Sequence, residues 1–465
     1  MVPPTYFDAA ELATIQRDYP IGADFLQRFR GMSRDALRAV QEQRFARVMA
    51  FAWQVPFYQR LWRAAGLEPG DVGGLADISK LPTYSKADLM ASVERNPPLG
   101  DFHGLEAYPI DLRPQIILQT TSGTTGRPQP LLYGPKSREI QNLLLARTYL
   151  LQGMRRDDVV HSVYGFGMVN GGHYIRETIT HWIGAQLLSA GTGAETRSAQ
   201  QVALMRDLGA TVLAGFGDFV WRLADIAREN GIEPGRDIRL RMITGHLGPE
   251  GREPMSEAWG GCAVYDWYGV GDTGIIAGEG PDQSGMYVHE DAQYLELLDP
   301  DTGKPTAPDA TGNMVVTCLF KDDIFPIIRF NTHDITEEIH GESPVGLPFR
   351  RILGFRGRSD NMVKLRGINV YPTGIGALLA AERPDFTGEF ICEVERRDGR
   401  DDMLVRVEIR GAPDEMLRRD YEALLRARLG VEVRVALETQ GALASLTGVE
   451  TRQKPVRLID RRGEP

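Results

Sequence analysis

The chain has 465 residues, 42% of them apolar and 25% charged, an ordinary balance for a globular chain with room for about three domains. Its formal net charge of −10 excludes a broad nucleic-acid or anionic-membrane surface, so any phosphate site has to be local. Cys262, Cys318 and Cys392 stand far apart with no Cys-x-x-Cys spacing, which gives no zinc cluster and fits a reducing compartment. The opening residues lack a basic stretch followed by an apolar one, and no long uncharged apolar run occurs, so the expectation is a cytoplasmic protein with no membrane segment.

In chain order, residues 1–110 read as helices and connecting loops, with Ser33 before a long amphipathic stretch through Trp53 and a capping box at Ser85-Lys86-Ala87-Asp88. Ile116-Ile117-Leu118 reads as a buried strand that delivers the donor-rich loop Gln119-Thr120-Thr121-Ser122-Gly123-Thr124-Thr125-Gly126-Arg127-Pro128. From 137 to 268 strand and helix patterns alternate, which predicts a parallel sheet with helices on both faces. The expected strands are Val159–Val163, Ala185–Leu188, Thr211–Gly215, Leu240–Thr244 and Ala263–Asp266; the expected helices are Lys136–Leu151, Gly172–Ile183, Ser198–Leu208, Phe219–Asn230 and Pro249–Trp259. Residues 285–340 turn to short strands and tight turns, a β-rich subdomain. After Gly357-Arg358-Ser359-Asp360 come strand Met362–Leu365, helix Thr373–Ala381, strands Glu389–Glu395 and Met403–Ile409, helix Asp414–Leu429 and strand Val431–Val435, a small α+β unit. The fold class is therefore α/β (mixed α+β). It divides into a large domain, 1–359 (helical lead-in 1–110, α/β core 111–284, β-rich subdomain 285–359), and a small mobile C-terminal domain, 360–465.

Chemistry gathers at a few of these places. Hydroxyls and glycines at Thr121–Gly126 let backbone N–H groups converge on a polyphosphate without Cβ interference, while no Gly-Lys-Ser/Thr follows as a Walker loop requires. Glycine-rich or polar segments close several strands of the alternating region, where ligands of open α/β sheets collect. Gly269-Val270-Gly271-Asp272-Thr273-Gly274 has the spacing of a dinucleotide fingerprint, but Gly278, Gly280 and Pro281 break the helix that such a fingerprint must open. Asp334 ends an apolar strand and suits the two hydroxyls of a ribose, since a carboxylate accepts two hydrogen bonds at once. Tyr164, Phe166, Met168 and Phe216, on glycine-flanked turns, are the candidate lining for a planar or cyclic acid, and equally ordinary core rings. His173 and Arg176, about one helical turn apart, could meet a polar substituent or face solvent.

Thr121-Ser122-Gly123-Thr124-Thr125-Gly126-Arg127-Pro128 resembles the nucleotide loop of the acyl-adenylate-forming enzymes, and within them the phenylacetate–CoA ligases and related aryl-acid–CoA ligases. Three further motifs carry the same resemblance. Tyr265-Asp266-Trp267-Tyr268-Gly269-Val270-Gly271-Asp272 is similar to their aromatic-and-acid motif, with Asp272 in place of the usual glutamate and Gly271 in place of a hydroxyl residue. Gly357–Pro372 matches their interdomain hinge, with Asp360 as pivot. Glu450–Asp460 is similar to their closing motif, which by itself would show only a solvated Lys454.

The resemblance implies ATP, Mg2+ and coenzyme A as cosubstrates and cofactor, with Thr121, Ser122, Gly123, Thr125 and Gly126 on the phosphates. It places Gly245, His246, Asp266, Trp267, Tyr268, Gly269, Asp334 and Arg358 on the nucleotide, and Asp272 with Thr124 on the metal. Lys454, Thr124 and Asp272 become the catalytic set. Relatives carry cysteines before the hinge that 345–355 lacks, so no zinc is expected. The implied reaction is activation of an aryl or cyclic carboxylic acid as its adenylate, then transfer to coenzyme A. An adenylating amide ligase or carrier-protein-loading enzyme would look the same up to the adenylate, and a non-catalytic acyl- or nucleotide-binding relative is a third reading, motivated by Gly271-Asp272 and His246-Leu247. Partners are then small molecules, without nucleic acid or membrane, and a homodimer is left open.

Overall fold

The computed structural model describes residues 5–121, 127–247, 251–366, 368–397, 400–452 and 455–462. Two units emerge, each assembled from separate stretches of chain. One takes residues 1–155, 167–184 and 267–355; the other takes 156–166, 185–266 and 356–465.

In the first unit, Ser33 caps the helix Arg34–Ala52 by accepting the Ala36 N–H at 3.1 Å, and Asp88 accepts the Ser85 N–H at 2.8 Å before the helix Lys86–Arg95. Both starts follow from short polar side chains that satisfy donors a new helix leaves open. The helix Pro135–Leu151 is buried almost all round, although it carries Arg138, Glu139, Gln141, Asn142 and Arg147. Partners make this tolerable: Arg147 meets Asp291 at 2.8 Å, and Arg138 pairs with Glu177. Around it lie antiparallel strands, Trp267–Val270 against Gly274–Glu279 and that strand against Met286–Val288. A second antiparallel ladder joins Gln293–Leu298, Gly312–Cys318 and Phe330–Thr336. These are the short strands expected after residue 285.

The strand Ile117–Thr120 exists, but it is not the buried one its apolar run predicts. It pairs with Pro130–Tyr133 in a two-stranded ladder, and Ile116 and Leu118 remain 36% and 40% exposed. A two-stranded ribbon buries little of its own surface, so a run of apolar residues does not by itself make an interior strand.

The second unit holds the parallel sheet, in the order Gln186–Ser189, Val159–Ser162, Val212–Phe216, Met242–His246, then the start of Ala263–Val270. Helices Ser198–Asp207, Gly217–Glu229 and Arg252–Ala258 cover it, and Leu213, Val220, Leu223, Trp259 and Val264 share one core. The same unit contains a four-stranded sheet in which Phe386–Arg397 runs antiparallel to Arg400–Ile409. Arg434–Thr439 and Leu458–Asp460 flank that pair in parallel. Helix Glu415–Leu429, capped by Asp414 on the Leu417 N–H at 2.7 Å, packs Tyr421 and Leu425 into this sheet's core. The architecture is the mixed α/β fold expected, with a parallel core sheet, a β-rich portion and a small α+β portion.

Candidate active site

Three adjacent parallel strands end together in the second unit, and their last side chains meet. Phe216 closes one strand and His246 the next, with their rings stacked at 4.7 Å and 19°. Tyr164, just past Val159–Ser162, lies edge-on to Phe216 at 5.0 Å, and its hydroxyl is 2.9 Å from His246 Nδ1. Parallel strands in register bring such positions side by side without any local sequence signal. Gly245 is forced here: a Cβ would stand 1.8 Å from the Gly215 carbonyl oxygen on the neighbouring strand. Asp266 accepts the Leu247 N–H at 3.2 Å and so fixes the turn after His246. Phe166 donates its N–H to Glu195 at 2.9 Å. Of the four residues expected around the acid, Tyr164 and Phe216 are therefore in contact through one ring cluster, which His246 joins. Met168 belongs to the other unit, where its carbonyl accepts the Thr120 N–H at 2.7 Å while the residue is 54% exposed.

The first unit assembles two further pieces. Tyr268, buried on the strand Ala263–Val270, donates its hydroxyl to Asp334 Oδ2 at 2.6 Å. That bond orients a buried carboxylate inside the strand Phe330–Thr336 rather than at its end, at a place where the register shifts between Asn313 and Val315 and the backbone at His333 is left-handed. Gly269 is again a place for glycine, since a Cβ would be 2.4 Å from the Gly274 carbonyl oxygen.

Asp272 is buried, and Gln129 Nε2 donates to its Oδ1 at 2.6 Å. Gln129 also closes the stem of the Ser/Thr/Gly loop. Its carbonyl accepts the Thr121 N–H at 3.0 Å and its N–H donates to Thr121 Oγ1 at 3.1 Å. Lys321 Nζ donates to the Asp272 carbonyl at 2.8 Å while lying over the rings of Tyr133 and Phe325 at 5.3 and 5.0 Å. Burial pushes the Asp272 carboxyl above the usual range, opposed by the Gln129 bond and the Lys321 charge; burial likewise pulls the Lys321 ammonium down. A single buried carboxylate is a hard oxygen donor of the kind Mg2+ takes, since that ion keeps several waters and needs one or two carboxylates from a protein. Among the described residues no group of three or more His, Cys, Asp or Glu is gathered for a metal, and the three cysteines are buried thiols.

Neither Gln129 nor Lys321 was legible as a site residue. Gln129 reads as the tail of a loop, and Lys321-Asp322-Asp323 as a solvated charge run. Arg358 and Asp360, expected at the hinge, pair with each other at 2.6 Å. Ser122, Gly123, Thr124, Thr125, Gly126 and Lys454 lie outside the described residues.

The AMP-binding enzyme family matches residues 66–318, and the AMP-binding enzyme C-terminal domain matches 367–462. The phenylacetate–coenzyme A ligase of Aromatoleum evansii is 27% identical over 449 residues, covering 92% of this chain and 96% of that enzyme. The Pseudomonas putida enzyme of the same name is 32% identical over 73% of this chain and 75% of its own length. Among solved structures, 2-hydroxyisobutyryl-CoA ligase in its postadenylation state with 2-HIB-AMP is 27% identical with a TM-score of 0.81, covering 93% of this chain and 91% of that one. The same ligase with 2-HIB-AMP and CoA in its thioesterification state is 28% identical with a TM-score of 0.66, covering 94% and 92%.

Proposed function

We propose, from the premise that this chain belongs to the AMP-binding enzyme family and is an AMP-forming acid–CoA ligase of it, that it activates an aryl or cyclic carboxylic acid with ATP and passes the acyl group to coenzyme A. The observation that carries this reading is Gln129: one buried residue holds the stem of the phosphate loop through its backbone and the carboxylate of Asp272 through its side chain.

Carboxylates do not react with thiols at neutral pH, because hydroxide is a poor leaving group and the acid is already an anion. In the first step a carboxylate oxygen attacks the α-phosphorus of ATP. A P–O bond to the acid forms, the α–β phosphoanhydride breaks, and pyrophosphate leaves. Thr121–Gly126 hold the β- and γ-phosphates, Asp334 takes the ribose hydroxyls, and Tyr268 keeps that carboxylate turned for the task. Asp272, with Thr124, would hold Mg2+, which when bound supplies neutralisation of the phosphate charge. Lys454 supplies a second positive charge where two anions must approach. In the second step the CoA thiol attacks the acyl carbon, the bond to AMP breaks, and the thiol proton passes to solvent. Withdrawal of Lys454 by rotation about Asp360 would separate the two steps. That 2-hydroxyisobutyryl-CoA ligase, 27–28% identical to this chain, has been solved in both a postadenylation and a thioesterification state supports such a cycle here.

Tyr164, Phe216 and His246 support a flat acid, because two aromatic rings and an imidazole at one sheet end offer stacking faces with a polar tip. A pyrophosphate-release screen of aryl, heteroaryl and alicyclic acids, with and without CoA, tests the reading. Release that requires an acid, with thioester formed once CoA is added, is the expected result. Release completed only by an amine or a carrier-protein thiol would move the acceptor assignment, and no release with any acid would overturn the reading.

A further inference from the structure

One face of the helix Gly217–Glu229 holds the C-terminal part of the chain, within the second unit. Asp218, Trp221, Arg222 and Asp225 recur at the spacing of a single helical face. Each meets a residue from beyond position 400. Arg410 lies over the Trp221 ring at 5.3 Å, Arg222 is 3.4 Å from Glu450, and Gln440 donates to Asp225 at 3.3 Å. These three contacts are partly exposed and polar, and each is weak. The fourth differs in kind. Arg457 is enclosed, with Nη2 2.8 Å from Asp218 and 2.9 Å from Glu389, Nη1 donating to the Phe390 carbonyl at 2.9 Å, and the Phe390 ring beneath it at 4.9 Å.

The two carboxylates around that guanidinium are not equivalent. Glu389 lies on the strand Phe386–Arg397, beside Leu458–Asp460 in the same small sheet, and also accepts the Thr447 hydroxyl at 2.7 Å. It travels with Arg457 in any motion of the small sheet. Asp218 stands two residues after Phe216, and its Oδ1 is buried with no hydrogen-bond partner among the described residues. Its ion-pair partner among those residues is Arg457. Arg457 lies three positions after Lys454 in the chain.

We propose that Asp218 is a positioning residue for the adenylation half-reaction: its ion pair with Arg457, three positions after Lys454 in the chain, holds Arg457 against helix 217–229, and breaks before the thiol step. The proposal rests on the adenylate-then-thioester reading. It explains the asymmetry, because Arg457 keeps Glu389 when the pair opens while Asp218 gains water, so opening does not strand a buried charge.

The test uses the full chain with the acid found by the screen. Asp218→Asn should lower pyrophosphate release about thirtyfold or more with the acid KM unchanged, the scale of removing one partner of a buried charge pair. Thioester formation from supplied acyl-adenylate and CoA should hold or rise. Glu389→Gln, which leaves the Asp218 pair in place, should move both half-reactions in parallel. Equal loss of both in Asp218→Asn, or no change in pyrophosphate release, overturns the proposal. Hydrogen exchange supplies a readout independent of catalysis: Asp218→Asn should speed exchange over 447–457 and leave the strands at 212–216 and 242–246 unchanged. Identical exchange in variant and wild type overturns the latch. If the wild-type chain releases no pyrophosphate with any acid, the ligase reading fails by itself, and the exchange result alone decides whether Asp218 holds the tail.

Discussion

Asp272 and Arg457 are both buried charges, and their surroundings are built in opposite ways. Around Asp272 the neighbouring ammonium of Lys321 is aimed at the backbone carbonyl and at two ring faces, so the carboxylate itself is held by the neutral amide of Gln129. Around Arg457 two carboxylates, a carbonyl and a ring enclose a single guanidinium, whose proton is held more tightly than usual by those negative neighbours despite its burial. The difference separates two uses of buried charge. A carboxylate oriented without being neutralised would be open to an incoming cation, as proposed for Asp272, whereas a neutralised guanidinium would matter only where one partner can leave, as proposed for Arg457.

The comparison breaks most readily at Lys454. Lys454→Ala should cut adenylate formation by about a thousandfold if that ammonium faces the developing charge. Thioester formation from supplied acyl-adenylate should be largely spared, and half-reaction assays showing equal loss of both would contradict a two-position cycle.

Asp272→Asn is next, with about a hundredfold loss of pyrophosphate release expected and an opposite effect on stability. The raised carboxyl pKa means that the fold prefers the neutral acid, so stability falls as pH rises through the folded-state value. The neutral amide should then melt higher than wild type at neutral pH, by about 1 kcal/mol, with the gap closing in acid. Thermal melts at the two pH values decide, and a lower midpoint for the variant at neutral pH would show that the carboxylate is well paired after all.

Gln129→Leu should cost about 1–3 kcal/mol of stability by leaving a buried acceptor unmatched, and roughly tenfold in adenylation. A double-mutant cycle with Asp272→Asn sharpens the point: the two changes should couple, and additivity would mean that the 2.6 Å contact carries nothing. The smallest effect is expected at Tyr268→Phe, where loss of the hydroxyl on Asp334 should raise the KM for ATP about fivefold with kcat near wild type. A shift in the acid KM instead would remove this pair from the nucleotide.

Much of the second unit was legible beforehand because its signals are local. Val212–Phe216, Met242–His246 and the helix Gly217–Glu229 lie within about two residues of the positions expected from apolar periodicity and breakers. Tyr268 and Asp272 stand out through likeness to the family's motif and Asp334 through its apolar strand; the structure buries all three and joins Tyr268 to Asp334. Ile116 and Leu118 depart from the buried strand their composition suggests, because apolar composition does not say whether anything covers a strand. His246 was expected on the nucleotide side, and the structure sets it against Tyr164 and Phe216, a neighbourhood produced by the register of three strands.

By itself the sequence determined the family, the order of the elements and the residue types able to handle a phosphate, because hydrogen-bonding capacity, backbone freedom and apolar period are written within a few positions of each other. Only the tertiary structure decided which buried charges face which groups. Gln129 and Asp272 are 143 positions apart, and Asp218 reaches Arg457 from another element entirely. Such pairings depend on strand register and helix placement, which sum over the whole core, and no local window contains them.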